Sequence, residues 1–332
     1  MASAVAQQPF RQRWPWIGAD LQTLRDSLRP RPVPLAPGER LLIPCSGGAL
    51  LAWLSTPPVA PRALVLLVHG LGGCSDSVGV RRLAAVLLAH GLAVLRLNLR
   101  GAGAGRPLAT GSYAAQCNAD LLPVLDRCRD LAASVPLLGV GLSLGGTVLL
   151  NALLARPTGL DGLAALSAPL DLAGSCRQME RWRNRLYLPL VLQRLRRQVA
   201  ADPAGLTPTE QHALATAAPW RLSAFDRAIT APRWGYGSVE AYYAAASPLV
   251  GLKTSCLPPC LVLQALDDPW VPAAPAASLA REGLTVVLTP GGGHNGFHGA
   301  GDHAHPGTPA SWADRLCVGW LLEMLAAQEL KA

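Results

Sequence analysis

"LAASVPLLGVGLSLGGTVLLNALLA", residues 131–155, decides between two very different folds. It carries no charged residue and is long enough to span a bilayer. Its internal order points elsewhere. "VPLLGVGL" is a short apolar run of the kind buried as a strand, "SLGG" is a turn, and "TVLLNALLARP" is a helix stopped at Pro157. A buried strand-turn-helix is therefore expected, and no transmembrane segment.

The same alternation extends on both sides. After an N-terminal arm (residues 1–40) ending in the proline-rich "RPRPVPLAPGE" (29–39), "RLLIPCSGGALLAWLS" predicts two strands joined at Gly47-Gly48. "RALVLLVHG" is a continuous apolar run suited to a parallel sheet, and "VRRLAAVLLAHG" is a helix ended by Gly91. "LAVLRLNLRG" follows as a strand, "YAAQCNADLLPVLDRCRDLAA" as a mainly helical segment, and "GLAALSAP" as a strand beyond the central unit. Residues 171–247 break the rhythm: they are arginine- and aromatic-rich, helical in pattern, and lack a buried strand. It resumes with "PCLVLQALDDPW", a helix near "AAPAASLARE", the strand "LTVVLTP", a histidine-rich loop and a final helix capped by Ser311. The expected architecture is an α/β core formed by residues 41–170 and 248–332, its mostly parallel sheet flanked by helices, with 171–247 as a helical cap insertion.

Composition narrows the function classes. The chain has 332 residues, half of them apolar and 15% charged, as in folded globular proteins. Its formal charge of +8 rests almost wholly on arginine, since lysine occurs only at Lys253 and Lys331. The arginines are mostly scattered and accompany no nucleic-acid-binding motif, so no nucleic-acid partner is expected. The N-terminal stretch lacks the apolar region of a secretory signal, and the eight cysteines show neither zinc spacing nor a disulfide framework. Reduced thiols in the cytoplasm are the expectation.

"GLSLG", Gly141–Gly145, fits Gly-x-Ser-x-Gly. In a chain with 33 glycines the match alone is weak; its place between a buried strand and a helix carries the weight. There a sharp turn presents the Ser143 hydroxyl, and the helix start offers the Leu144 N–H to a developing oxyanion. "VHGLGG" (68–73), after an earlier strand, offers a second donor at Leu71, with His69 packing or orienting the loop. The acid and base are expected after later strands, in the order Ser, Asp, His. "LDDP" supplies Asp268, with Asp267 in reserve, and "LTPGGGH" supplies His294, the first histidine after the last strand. Serine is a poor nucleophile unaided, so His294 would take its proton while Asp268 fixes the tautomer.

These residues resemble the YheT-like branch of the α/β-hydrolases over nearly the whole chain. The similar stretches include "PWIGADLQTL", "HGLGGCSDS", "NLRGAG", "GLSLGG", "LSAPLDL", "AFDRAITAPRWGYGSVEAYYAAASP", "ALDDPW" and "GGGHNGF". The resemblance implies an eight-stranded α/β-hydrolase core with a helical cap and a Ser143–Asp268–His294 triad. It also implies hydrolysis of small-molecule carboxylic esters, short-chain or lipid-like. The chain departs from the family at Asp20, where histidine is frequent, and at Val78, where an aromatic is frequent. Both bear on pocket shape.

An acyltransferase or thioesterase could use the same triad, and a binding protein could use the scaffold alone; no His-x4-Asp acyltransferase motif is present. The loop "GGGHNGFHGAGDHAH" (291–305) also raises a metal site, His294 and His298 being four apart. Gly293, Gly296, Gly299 and Gly301 oppose the helix such a site needs, so neither metal nor cofactor is expected. His298, His303 and His305 are expected to be bystanders, His303 and His305 in a solvated loop. Arg181, Arg183 and Arg185 are expected on a solvated face, and "LYLPLVL" (186–192) fits either an acyl pocket or cap core.

Overall fold

The computed structural model describes residues 9–30, 33–279, 283–303 and 310–330. Eight strands form one sheet: β1 (Glu39–Cys45), β2 (Gly48–Ser55), β3 (Leu64–Val68), β4 (Ala93–Leu97), β5 (Leu137–Leu142), β6 (Gly162–Leu166), β7 (Cys260–Ala265) and β8 (Leu284–Thr289). Their order is β1-β2-β4-β3-β5-β6-β7-β8. Only the β1/β2 and β2/β4 pairs are antiparallel; every pair from β4 to β8 is parallel. This is the α/β-hydrolase architecture expected, with helices on both faces and apolar clusters beneath each.

The central strands are apolar at nearly every position because both of their faces are covered. All residues of β3, β4, β6 and β7 are buried, whereas the edge strand β8 is mostly half-buried. Even Arg96 in β4 is enclosed, its guanidinium paired with Asp76 at 3.0 Å and donating to the carbonyls of Ser75 and Pro37. The described helices begin with α1 (Ala19–Leu28), α2 (Val78–Ala89), α3 (Asn118–Ala132) and α4 (Leu144–Ala155). α3 starts five residues later than the pattern from Tyr113 suggests. Tyr113 is drawn out of helical register, its hydroxyl accepting the Gly72 N–H at 2.7 Å. The final helix, Trp312–Glu329, opens with a reciprocal Ser311/Asp314 capping box and buries Trp312, Leu316, Trp320 and Met324.

Residues 171–247 contain no strand. They include α5 (Leu172–Met179), α6 (Leu188–Ala200), α7 (Pro208–Thr216) and the helix Val239–Ala246. Because the sheet from β3 onward is parallel, the chain leaves β3, β5, β7 and β8 at one edge. His69, Ser143, Asp268 and His294 all follow those ends.

Candidate active site

Ser143 sits between β5 and α4 with φ 52°, the left-handed region that ordinary side chains avoid. The strained turn is held by hydrogen bonds from the Ser143 N–H to Leu166 (2.8 Å) and from the Gly146 N–H to the Ser143 carbonyl (2.8 Å). Its glycines are required by contact: a Cβ at Gly145 would press on the carbonyls of Val68 and His69, and one at Gly141 on the Gly145–Gly146 backbone. At Gly70, a Cβ would stand 2.9 Å from the Ser143 Cβ, so the loop after β3 already touches the serine.

The His294 Nε2 lies 2.8 Å from the Ser143 Oγ, and its Nδ1 lies 2.9 Å from the Asp268 Oδ2. Asp268 is fixed in turn. Its Oδ1 accepts the N–H groups of Trp270 (2.8 Å) and Val271 (3.0 Å), and its Oδ2 accepts the Gln264 amide at 3.0 Å. With an acceptor-only carboxylate at Nδ1, the imidazole carries its proton there and turns a lone pair toward Ser143. The Trp270 ring packs against the imidazole with centroids 4.6 Å apart. Asp267, the reserve, faces another way: its Oδ1 accepts the Gly293 N–H at 2.8 Å and so ties down the histidine loop.

Leu71 and Leu144 line the same cavity as Ser143. As the first residue of α4, Leu144 has no carbonyl one turn back to receive its N–H. The loop bearing Leu71 is pinned by His69, which is fully buried, donates through Nδ1 to the Gly70 carbonyl (2.8 Å) and accepts the Leu99 N–H at Nε2 (3.2 Å). Burial lowers the His69 pKa from 6.5 to about 4, so it stays neutral and orients the loop, as the sequence suggests.

The cavity holds about 320 Å³ and runs from Ser143 beneath the 171–247 segment, whose Met179, Val191, Leu195, Val199, Phe225 and Tyr243 supply much of its apolar wall. Thus "LYLPLVL" divides: Val191 faces the cavity, Leu188 and Leu192 are buried, and Leu186 and Leu190 are exposed. One carboxyl intrudes on this wall. Asp226 accepts from Tyr243 (2.8 Å) and Thr230 (2.7 Å), and burial raises its pKa to about 6.

Sequence reasoning did not find what holds the histidine loop. The Thr23 hydroxyl on α1 accepts the His294 N–H at 2.8 Å. Gln22, fully buried, accepts the His298 N–H (2.7 Å) and donates to its carbonyl (3.0 Å). Both belong to "LQT", yet they lie some 270 residues from their partners, where no spacing rule reaches. His298 is buried, 3.5 Å from Asp26 within a cluster that includes Arg82 and Asp314. Burial, reinforced by Arg82, lowers its pKa to about 3. His305 and the side chain of His303 lie outside the described residues. Among the described residues, no three potential metal ligands converge.

Residues 63–300 match the alpha/beta hydrolase fold family. The chain belongs to that family. It is 27% identical over 303 residues to "Phospholipase ABHD3" of Homo sapiens, spanning 86% of this chain and 72% of that protein. It is also 27% identical over 172 residues to "Putative esterase slr0264" of Synechocystis sp., spanning 50% and 46% of the two chains. Among solved structures, ferulic-acid-bound Est1E of Butyrivibrio proteoclasticus superposes with a TM-score of 0.55 at 18% identity, covering 86% of this chain and 99% of the other. That last likeness is one of fold. Family and relatives together make this chain a hydrolase of the α/β fold. No described helix is long and apolar enough to cross a membrane.

Proposed function

We propose that this hydrolase, of the YheT-like branch, cleaves small-molecule carboxylic esters through an acyl-enzyme on Ser143. The observation that carries the reading is the unbroken hydrogen-bond relay Ser143–His294–Asp268 opening into a largely apolar cavity. In the first step the Ser143 Oγ attacks the ester carbonyl and its proton passes to the His294 Nε2. Asp268 stabilises the imidazolium, and the N–H groups of Leu71 and Leu144 receive the oxyanion. His294 then protonates the leaving alcohol. Water, deprotonated by the same nitrogen, releases the acid and restores Ser143.

An apolar cavity of about 320 Å³ favours an acyl chain over a polar acid, so lipid-like esters fit better than highly charged ones. The test pairs a fluorophosphonate probe with a series of p-nitrophenyl esters of rising chain length. Wild type should be labelled, and Ser143→Ala should lose labelling and turnover by on the order of 10⁶-fold. An unlabelled wild type beside a labelled control hydrolase overturns the mechanism. A faster rate on the matched thioester series would instead favour a thioesterase.

A further inference from the structure

α1 is inside out. Its buried side chains are Gln22 and Arg25, while Leu24 is only half-buried and two other leucines face solvent: Leu21 is 41% exposed and Leu28 56%, as is Ile17, one turn before Leu21, at 54%. Spacings of four and seven put these three on one face. Trp14, in the turn before α1, is 81% exposed. The face continues across to the 171–247 segment, because Asp20 on α1 pairs with Arg183 at 3.0 Å. Beside Arg183 stand Trp182 (79% exposed), Leu186 (73%) and Leu190 (58%). One further turn along α6, Arg194 is exposed and also lines the cavity mouth.

Single exposed apolar residues are ordinary on a soluble protein. Here two tryptophans and several aliphatic side chains gather on two elements joined by an ion pair, beside the mouth of an acyl-sized cavity. Exposed arginines surround them: Arg181, Arg185 and Arg197 join Arg183 and Arg194, and the nearby carboxylate of Asp20 is already paired. Arg185 lies over the Trp182 ring at 5.8 Å. Tryptophan and leucine bounded by arginine suit an interface whose interior is apolar and whose headgroups are negative.

We propose that this face docks the protein on an anionic lipid surface, seating Trp182, Leu186, Leu190 and the outer face of α1 among the headgroups with the cavity mouth toward the lipid. Docking requires no turnover, so it can fail while the ester-hydrolase reading stands, and the reverse.

The test is co-sedimentation of the full chain with vesicles of phosphatidylcholine containing about one-third phosphatidylserine, against phosphatidylcholine alone. Wild type should bind the anionic vesicles, and high salt should weaken binding. Trp182→Ser/Leu186→Ser/Leu190→Ser should weaken it at least about tenfold while turning over a water-soluble short ester at the wild-type rate, which shows that the variant is folded. Replacing Arg181 and Arg185 with Gln should reduce the preference for anionic vesicles. Equal binding by wild type and the triple variant overturns the proposal, as does no binding by wild type. A wild-type dimer in solution that the triple variant dissolves, with no vesicle binding, assigns the face to a second copy and overturns it equally.

Discussion

Acidification should loosen this fold through two histidines that never meet solvent. His69 presents a donor at Nδ1 and an acceptor at Nε2, and both are satisfied only in the neutral ring. Protonation would set an N–H against the Leu99 N–H. Its pKa falls from 6.5 to about 4 on folding, and that of His298 to about 3. Between those values and 6.5 the unfolded chain binds protons that the folded chain refuses. Stability is therefore complete above 6.5 and declines as pH falls through the window. From pH 7 to pH 5 each histidine costs about 2 kcal/mol. Asp226 acts oppositely. Its folded pKa is raised to about 6, so the folded state takes up a proton first and gains about 1 kcal/mol over the same interval. Among these three groups the histidines win, leaving a net loss of about 2 to 3 kcal/mol, which the raised pKa values of Asp267 and Asp302 work to offset. Urea unfolding at the two pH values measures it. His69→Gln, whose carbonyl can accept the Leu99 N–H, should shrink the pH-dependent loss by about 2 kcal/mol whatever it costs at pH 7. An unchanged difference between the two pH values in this variant would refute the account of His69.

Two perturbations test how the candidate base is held. Asp268→Asn should lower kcat on a soluble ester by about 10⁴-fold with little change in melting temperature, because an amide no longer fixes the Nδ1–H tautomer; a loss under tenfold would remove Asp268 from its role. Thr23→Val strands the His294 N–H and should lower kcat about tenfold at similar KM, with Thr23→Ser restoring it. Equal loss in the Ser and Val variants would show that the hydroxyl does not position the loop.

Ser143, Asp268 and His294 were findable because each follows a strand whose apolar run is visible in the chain, and a parallel sheet gathers such ends at one edge. Periodicity is a local signal, and these three positions need only local signals plus the order of the elements. The choice between Asp267 and Asp268 was not of that kind. Adjacent residues at a strand end point to different sides, and only the tertiary path brings one to the His294 ring and the other to the Gly293 N–H. The burial of the histidine loop is likewise a tertiary matter: its glycines and polar residues carry no local signal of it, and α1 covers the loop where His294, Phe297 and His298 are buried.

That covering helix explains its own unusual polarity, but only in part. Residues 291–298 of the histidine loop form neither helix nor strand, so their backbone groups need partners from outside when buried. α1 supplies them through Thr23 to His294 and through Gln22 to both polar groups of His298. An apolar inner face would leave three backbone groups unpaired, at about 1 to 3 kcal/mol each, so the fold dictates polar residues on the inside. It dictates nothing about the outside. Polar residues at Ile17, Leu21 and Leu28 would serve a water-facing helix at least as well, since none of the three is buried in the fold. The inner half of α1 is thus accounted for by the loop it holds, and its outer half is where the docking proposal places the lipid.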